Sequence, residues 1–586
     1  MSNHEDSNLE KMRHSASHVL AHAVLKLYPD TKLGIGPAID NGYYYDFDFT
    51  QPIEESDLKE IEEEMKRIIK RKLAITQTFM NRKDAIKYLK EIGQEYKLEL
   101  LEEIPDKEVS FFVTGDKEFV DLCRGPHLED TGDIGPIKLI KTAGAYWRGD
   151  ETKKMLTRIY GTAFETKEEL KDHLKKLEDA EKYNHRKLGK QLKLFAIIPE
   201  IGQGLPVWLP RGYTIRRILE NYMLDLERKH GYEHILTPHI NKGELFQKSG
   251  HLDFYKESMY APIRVEEEDY YLKPMNCPAG FMVYKLEPKS YRDLPYKLGE
   301  FGTVYRFEKS GELHGLQRVR GFTQNDAHLF CTPDQLDSVL DETLDLLDIF
   351  YKDIGFDNYK FRLSLSDRER NPNKYSGDKE KWKFAEEALR KVLIKRGLEF
   401  EEMPGDAAFY GPKIDVQAVN VFGKEDSIST LQLDFNMPEK FDIKYVDVDG
   451  SEKQPYVIHR ALIGSFERFF AFLIEHHAGD FPLWLAPDQV TIIPISDKHM
   501  KYAKEVYESL ESNDIRVTLD DRGKSMQSKI RDAEKLKVPY LAIIGDKEIE
   551  TETVSIRSRL NKEIGLMKKQ EFLDYLEEEI RSKKSR

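Results

Sequence analysis

Cysteine is scarce in this chain: Cys123, Cys277 and Cys331 are the only three in 586 residues. Far apart and odd in number, they cannot build a disulfide framework, so reduced thiols or metal ligands are the expected uses. Long apolar runs are missing as well. The longest, Phe469 to Ile474, cannot span a bilayer, and Met1 to Ser17 is polar where a secretory signal needs an apolar centre. No membrane is expected among the partners, and the cytoplasm is the expected compartment. Positive charge is in deficit: Lys and Arg total 91 against 105 Asp and Glu, a net charge of −14. That argues against non-specific coating of nucleic acid and leaves any RNA to be met by local patches. The 36 glycines and 25 prolines are scattered, which excludes collagen-like and low-complexity classes.

What is present is a multidomain globular pattern, long enough for two to four domains with their own cores. Up to about Gly161 helix and strand signals mix in one α+β domain, where Ser56 is placed to cap a helix with Leu58, Ile61, Met65, Ile68 and Ile69 at helical spacing. Thr166 to Lys193 reads as an exposed connecting helix whose basic end can touch phosphates or form a solvated face. A large central domain follows, with strand-like segments such as Leu431 to Phe435 and helices such as Tyr213 to His230. Past Pro487, strands Val490 to Ile495, Ile515 to Leu519 and Tyr540 to Ile544 alternate with helices, the first Lys498 to Ser512, which predicts an α/β unit with a mostly parallel sheet. The expected division is 1–161, 162–193, 194–487 and 488–586.

The densest chemistry is Y-R-F-E-K-S-G-E-L-H-G-L-Q-R-V-R-G-F-T-Q-N-D-A-H-L-F-C, Tyr305 to Cys331. Polar residues this concentrated on strand-like segments point to a ligand. A surface hairpin laced with ion pairs would leave Arg306, Arg318 and Arg320 beside Val319 and Phe322 unexplained. Arginine forks suit phosphates because they stay charged and donate bidentately. This stretch resembles motif 2 of the class II aminoacyl-tRNA synthetases, specifically of the threonyl-tRNA synthetase family. Gly231 to Pro238 resembles motif 1 and Ile458 to Phe469 motif 3. K-P-M-N-C-P, H-G-L-Q-R-V-R-G-F-T-Q-N-D-A-H, F-Y-G-P-K-I-D and V-I-H-R-A stand together in this order, and the resemblance covers essentially the whole chain.

The resemblance implies a fold of three parts: an α+β editing domain, a class II antiparallel-sheet catalytic domain and an α/β anticodon-binding domain. The small ubiquitin-like domain that precedes these in many relatives is expected to be lacking. It further implies that Arg306 and Glu308 hold the α-phosphate and adenine side of ATP, Arg318 the phosphate tail and Arg468 its γ end, with Mg²⁺ accompanying ATP. Cys277, His328 and His459 are implied as ligands of one Zn²⁺ per subunit, and three protein ligands leave one position open for substrate. Threonine and valine are nearly isosteric, so a metal that takes the hydroxyl separates what an apolar pocket cannot, with Asp326 accepting the hydroxyl proton. Gln324, Tyr410, Lys413 and Gln432 would complete the pocket. Serine keeps the hydroxyl and loses only a methyl, roughly 1 to 3 kcal/mol of discrimination, so it must be edited. Departures are Ala279 and Gly280, where the family often has Gly-His, and Asp426-Ser427, where many members have Trp-Gln.

Near the amino terminus His14, His18 and His22 stand four apart on one helical face, and Cys123 and His127 repeat the spacing. By spacing alone this is a candidate metal site. The resemblance implies instead metal-free hydrolysis of seryl-tRNA, with His14, Lys97 and Cys123 activating water and His18, Asp121 and His127 shaping the pocket. In the last domain Glu548 and Arg557 match positions where relatives contact anticodon bases, while Gly523 stands where relatives often have Asn. The expected partners are tRNA(Thr), ATP, threonine and a second copy of the chain through motif 1. Rival readings are another class II synthetase, such as prolyl or seryl, and a non-catalytic RNA-binding regulator that would have lost phosphate arginines or zinc ligands.

Overall fold

The computed structural model describes residues 8–150, 152–421, 423, 425–559 and 563–583, and structural counts below refer to these. The chain divides into two compact units, Met1–Glu178 and Asp179–Arg586.

In the first unit the helix Asn8–Leu27 buries Ala16, Val19, Leu20, Ala23 and Val24 against the helix Asp57–Lys70 and an antiparallel sheet. That sheet places Gly42–Asp48 beside Met155–Ala163, which pairs in turn with Ile137–Tyr146. The strand Met155–Ala163 thus continues two residues past Gly161. A second, three-stranded sheet is Ile75–Asn81, Glu108–Thr114 and Phe119–Leu122. Leu58, Ile61, Met65 and Ile68 face the core as their spacing requires, with Ile69 partly buried. Ser56 does not cap: its backbone is already helical and its hydroxyl makes no cap bond, while Asp57 accepts the N–H of Glu54.

The connecting segment is two helices, Lys167–Tyr183 and His185–Gln191, broken where the Asn184 side chain accepts the N–H of Arg186 and restarts the helix. Its second half is not a solvated face, since His185 and Leu188 are buried.

In the second unit eight strands run in the order Tyr232–Ile235, Tyr296–Tyr305, Gly321–Cys331, Tyr456–Ser465, Glu425–Asp434, Lys413–Val419, Tyr359–Leu365 and Phe400–Pro404. The interior pairs are antiparallel and each edge strand is added in parallel. Helices Pro210–Lys229, Leu336–Ile354, Lys379–Lys395 and Phe466–His476 contribute apolar faces to the largest core. Beneath the middle strands the carboxylate of Glu227 takes bonds from Arg460, Asn325 and His234, all on or beside the sheet.

The carboxyl-terminal sheet has five strands: Val517–Leu519, Val490–Pro494, Tyr540–Ile544, Thr553–Ser558 and Glu563–Lys568. The first three are mutually parallel, but the last two are an antiparallel hairpin, so the sheet is evenly mixed rather than mostly parallel. The connector before it is clasped by cations. Lys537 donates to Ala478 O at 2.6 Å, Arg559 to Asp480 O and Phe481 O at 2.9 Å, and Arg516 to Trp484 O and Ala486 O at 2.8 Å. Burial pushes the Arg516 guanidinium down to about 10. No helix among the described residues is long and apolar enough to cross a membrane.

Candidate functional site

The sheet register creates the main site. His328 and His459 are direct cross-strand partners, their rings 4.8 Å apart, and Cys277 opens the helix Cys277–Tyr284 above them. One ligand atom from each lies within 4.8 Å of the others, and all three residues are buried. Asp434 Oδ2 lies 2.9 Å from His459 Nε2, the carboxylate–histidine support common behind metal ligands. His328 Nε2 is buried without a hydrogen-bond partner, and a metal ion satisfies such an atom. Burial holds the Cys277 thiol well above its ordinary value, with Asp326 and Asp434 adding to the effect, so only a cation would make it a thiolate. Soft sulfur and imidazole donors in a three-ligand set fit zinc with an open position. Gly280 lies against His328, where a Cβ would stand 3.3 Å from Nδ1.

A cavity of about 320 Å³ opens on the same strands, walled by Arg306, Glu308, Arg318, Gln324, Lys413, Gln432 and Arg468 among others; the trio is not in its lining, and Gln432 stands between them. Gln432 is registered opposite His459, and the Tyr410 ring lies 5.1 Å from the His459 ring with its hydroxyl donating to Gln432. Asp326, two residues before His328, receives Asn276 Nδ2 at 3.0 Å, and burial raises its carboxyl to about 6. Gly464, at φ +63°, lets the chain leave its strand at the cavity wall: a Cβ would sit 2.4 Å from Ile428 O.

The arginines differ in their restraints. Arg306 donates to Pro274 O and lies over the Phe322 ring at 5.0 Å. Arg318 is half exposed and pairs with Glu308 at 2.7 Å and Glu312 at 3.1 Å, weak surface pairs that a phosphate can replace. Arg468 is held by Gln317 O and Ser427 O, and burial disfavours its charge, leaving a desolvated cation at the wall. Arg320 is not in the cavity lining; it donates to Glu308 O and Gln203 O. Lys413 reaches the cavity but is engaged by Asp415 at 2.5 Å and Asp406 at 3.3 Å.

In the first unit His14, His18, Cys123 and His127 bring ligand atoms within 4.8 Å of one another. Cys123 Sγ is 3.4 Å from both His14 Nε2 and His127 Nε2. His14 donates from Nδ1 to Pro126 O at 3.1 Å, which leaves its Nε2 lone pair facing the thiol. Burial pushes the Cys123 thiol up to about 11 and lowers His14 and His127, so the group is a cluster of neutral bases and a thiol. Lys97 and Asp121 form a buried pair at 2.6 Å, and Tyr45 donates to the second Asp121 oxygen at 2.6 Å. His22 is outside the cluster and stacks on Phe119 instead. Sequence reasoning missed Tyr45, Asn276, Asp434 and Ser15, whose hydroxyl is 3.2 Å from His127 Nδ1. Asp434 alone had a visible signal, two residues beyond Gln432 on the same strand face.

In the carboxyl-terminal sheet Arg557 lies on the strand Thr553–Ser558, half-buried. Glu548 is buried and accepts the N–H of Gly545 at 2.8 Å, closing the start of its own helix. The structure does not pair it with a surface cation. A Cβ at Gly523 would meet open space, so packing does not impose that glycine.

These sites coincide with three families. Residues 259–477 match the "tRNA synthetase class II core domain (G, H, P, S and T)", residues 489–579 the "Anticodon binding domain", and residues 109–160 the "Threonyl and Alanyl tRNA synthetase second additional domain". A threonine-tRNA ligase of Geobacillus kaustophilus is 47% identical over 580 residues, covering 99% of this chain and 88% of its own. One from Staphylococcus carnosus is 48% identical over 584 residues, covering 99% and 90%. Among solved structures, the RNA binding domain of threonyl-tRNA synthetase from Cryptosporidium parvum superposes with a TM-score of 0.64 at 36% identity, over 67% of this chain and 98% of that one. The Giardia lamblia prolyl-tRNA synthetase in complex with prolyl-adenylate, TM-score 0.55 at 18% identity over 70% of this chain and 80% of that one, shares the fold. With near-half identity along almost its entire length, and with second additional, class II core and anticodon-binding domains in order, the chain belongs to the threonine-tRNA ligase family.

Proposed function

We propose that the chain activates threonine with ATP, transfers it to tRNA(Thr), and hydrolyses mischarged seryl-tRNA(Thr) at the amino-terminal site. The observation that carries this reading is the Cys277, His328 and His459 trio beside an arginine-walled cavity. Arg306 and Glu308 hold the α-phosphate and adenine side of ATP, Arg318 the phosphate tail and Arg468 the γ end, with Mg²⁺ brought by the nucleotide. Threonine's carboxylate attacks the α-phosphorus and pyrophosphate leaves. The arginines stabilise the charge that builds on the transferring phosphoryl group, and positioning supplies the rest. Cys277, His328 and His459 would hold zinc, which supplies an electrophilic site for threonine's amino and hydroxyl groups. Asp326 receives the hydroxyl proton, steadied by Asn276, while Gln324, Tyr410, Lys413 and Gln432 enclose the amino acid.

At the second site His14, Lys97 and Cys123 position and activate water against the seryl ester, and His18, Asp121 and His127 shape the pocket. The metal-free reading rests on the resemblance, for the ligand atoms of His14, His18, Cys123 and His127 lie as close together as those of the trio. Glu548 and Arg557 face the anticodon in this reading. We divide the chain into modules 1–161, 162–193, 194–487 and 488–586, and place it in the cytoplasm as a homodimer. Support for the dimer is Leu236, 79% exposed in the motif 1 stretch. The test is ATP–pyrophosphate exchange across a panel of amino acids, with metal analysis. Threonine should drive exchange, serine weakly and valine not at all; preference for proline or serine, or no exchange, would overturn the reading.

A further inference from the structure

The geometry points to His185 and Glu475 as a positioning pair for the turn that carries Arg318, an inference that rests on the reading of Arg318 and Arg468 as ATP-binding residues. His185 is fully buried where the connecting segment restarts as a helix. Its Nδ1 lies 2.7 Å from Glu475 Oε1, and the same oxygen takes the His185 backbone N–H at 3.2 Å. The ring therefore donates from Nδ1, and its Nε2 accepts the N–H of Leu316 at 3.2 Å. Leu316 is fully buried, so without that acceptor its N–H would be an unsatisfied donor in the core.

The turn is pressed against the ring. Gly315 has φ +50°, and a Cβ there would stand 2.1 Å from His185 Nε2. His314 and Arg318 close the turn with reciprocal backbone bonds of 3.1 and 3.2 Å. One residue past Leu316, Gln317 O accepts Arg468 Nε at 3.0 Å. Consecutive residues are thus clamped from one helix, Phe466–His476: Arg468 near its start holds Gln317, and Glu475 near its end holds Leu316 through His185. Among the described residues the Arg318 side chain pairs with the partly buried Glu308 and the exposed Glu312, both in the same excursion of the chain, so the clamped backbone fixes where its guanidinium emerges. A satisfied core histidine explains the hydrogen bonds alone; the clamp also predicts an effect on ATP.

The test compares two isosteric halves of the imidazole in the full-length protein. His185→Gln can place a carbonyl where Nε2 accepts from Leu316; His185→Asn can reach only Glu475 and leaves Leu316 unpaired. In threonine-dependent ATP–pyrophosphate exchange, His185→Asn should lose roughly tenfold or more in kcat/KM for ATP with the KM for threonine little changed, and His185→Gln, which restores the acceptor for Leu316 but not the bond to Glu475, should recover part of it. In an Arg318→Ala background the Asn substitution should add little further loss, because both act on one element. Gly315→Ala, which pushes the turn off the ring while leaving His185 intact, should reproduce the loss. Equal exchange by the Asn and Gln variants, full additivity with Arg318→Ala, or normal exchange by Gly315→Ala would each overturn the pair's role. A wild-type protein without threonine-dependent exchange would instead overturn the proposed function.

Discussion

Replacing Asp434 by asparagine should uncouple metal affinity from folding. Asp434 is fully buried, its Oδ1 accepts the backbone N–H of Asn436 at 2.8 Å and of Met437 at 2.9 Å, and its Oδ2 meets His459 Nε2 at 2.9 Å. Asparagine has the same shape, and its carbonyl can keep both backbone bonds. Its amide would then point an N–H donor at His459 Nε2–H, and the clash resolves if the ring moves its proton to Nδ1. A nitrogen that carries the proton cannot ligate, so a fault outside the donor set disables one of the three donors. Losing such support weakens metal affinity by about 10- to 100-fold, or about 1.4 to 2.7 kcal/mol. Because the backbone bonds survive, Tm should move by only a few degrees. The assay is chelator competition for zinc on folded protein, with the KM for threonine measured alongside. Unchanged zinc affinity with a lowered Tm would show that the Asp434–His459 bond serves the fold alone.

Cys277→Ala should abolish bound zinc and threonine activation together; full activity in protein without metal would end the substrate-metal reading. His14→Ala with Cys123→Ala should leave threonine charging intact while seryl-tRNA accumulates, and unchanged deacylation would remove editing from this site. Arg557→Ala should raise the KM for tRNA while threonine-dependent exchange stays normal; charging of native and of anticodon-altered tRNA both unaltered from wild type would exclude it from base readout. Burial alone would raise the Glu227 carboxyl, but Arg460, with His234 and Asn325, holds it below its ordinary value of 4.5. Its stabilisation is therefore present above about pH 4.5 and is lost as pH falls through the folded-state value. Glu227→Gln should cost about 3 to 5 kcal/mol at neutral pH by leaving Arg460 unpaired, and should flatten the acid limb of the melting profile. A parallel acid limb in both proteins would refute the assignment.

Motifs with local spacing were legible from the chain alone. His14 and His18 share a helical face, and Cys123 and His127 a single loop, so their meeting needed little tertiary information. His328 opposite His459 depends on strand register, which the spacing cannot reveal; only the resemblance supplied it. The break at Asn184 was hidden because charged residues with spaced leucines continue across it, and the side-chain cap that restarts the helix is one residue's choice. V-S-I-R around Arg557 reads as strand-like, but its antiparallel partner Glu563–Lys568 escaped because its residues alternate into solvent and end in charges, whereas Val490–Pro494 is buried along its whole length. Supporting residues such as Tyr45 and Asn276 act through one hydroxyl or amide each and leave no periodic trace.

The clasped connector between residues 478 and 488 has a consequence for anyone building hybrids of this protein. A graft that joins a foreign anticodon module at residue 488 would leave Ala478, Asp480, Phe481, Trp484 and Ala486 on the host while removing Lys537, Arg559 and Arg516, whose donors their carbonyls need. The cut that respects these bonds lies before Ala478, and the transplanted piece should carry its own connector as part of its hydrogen-bonded body.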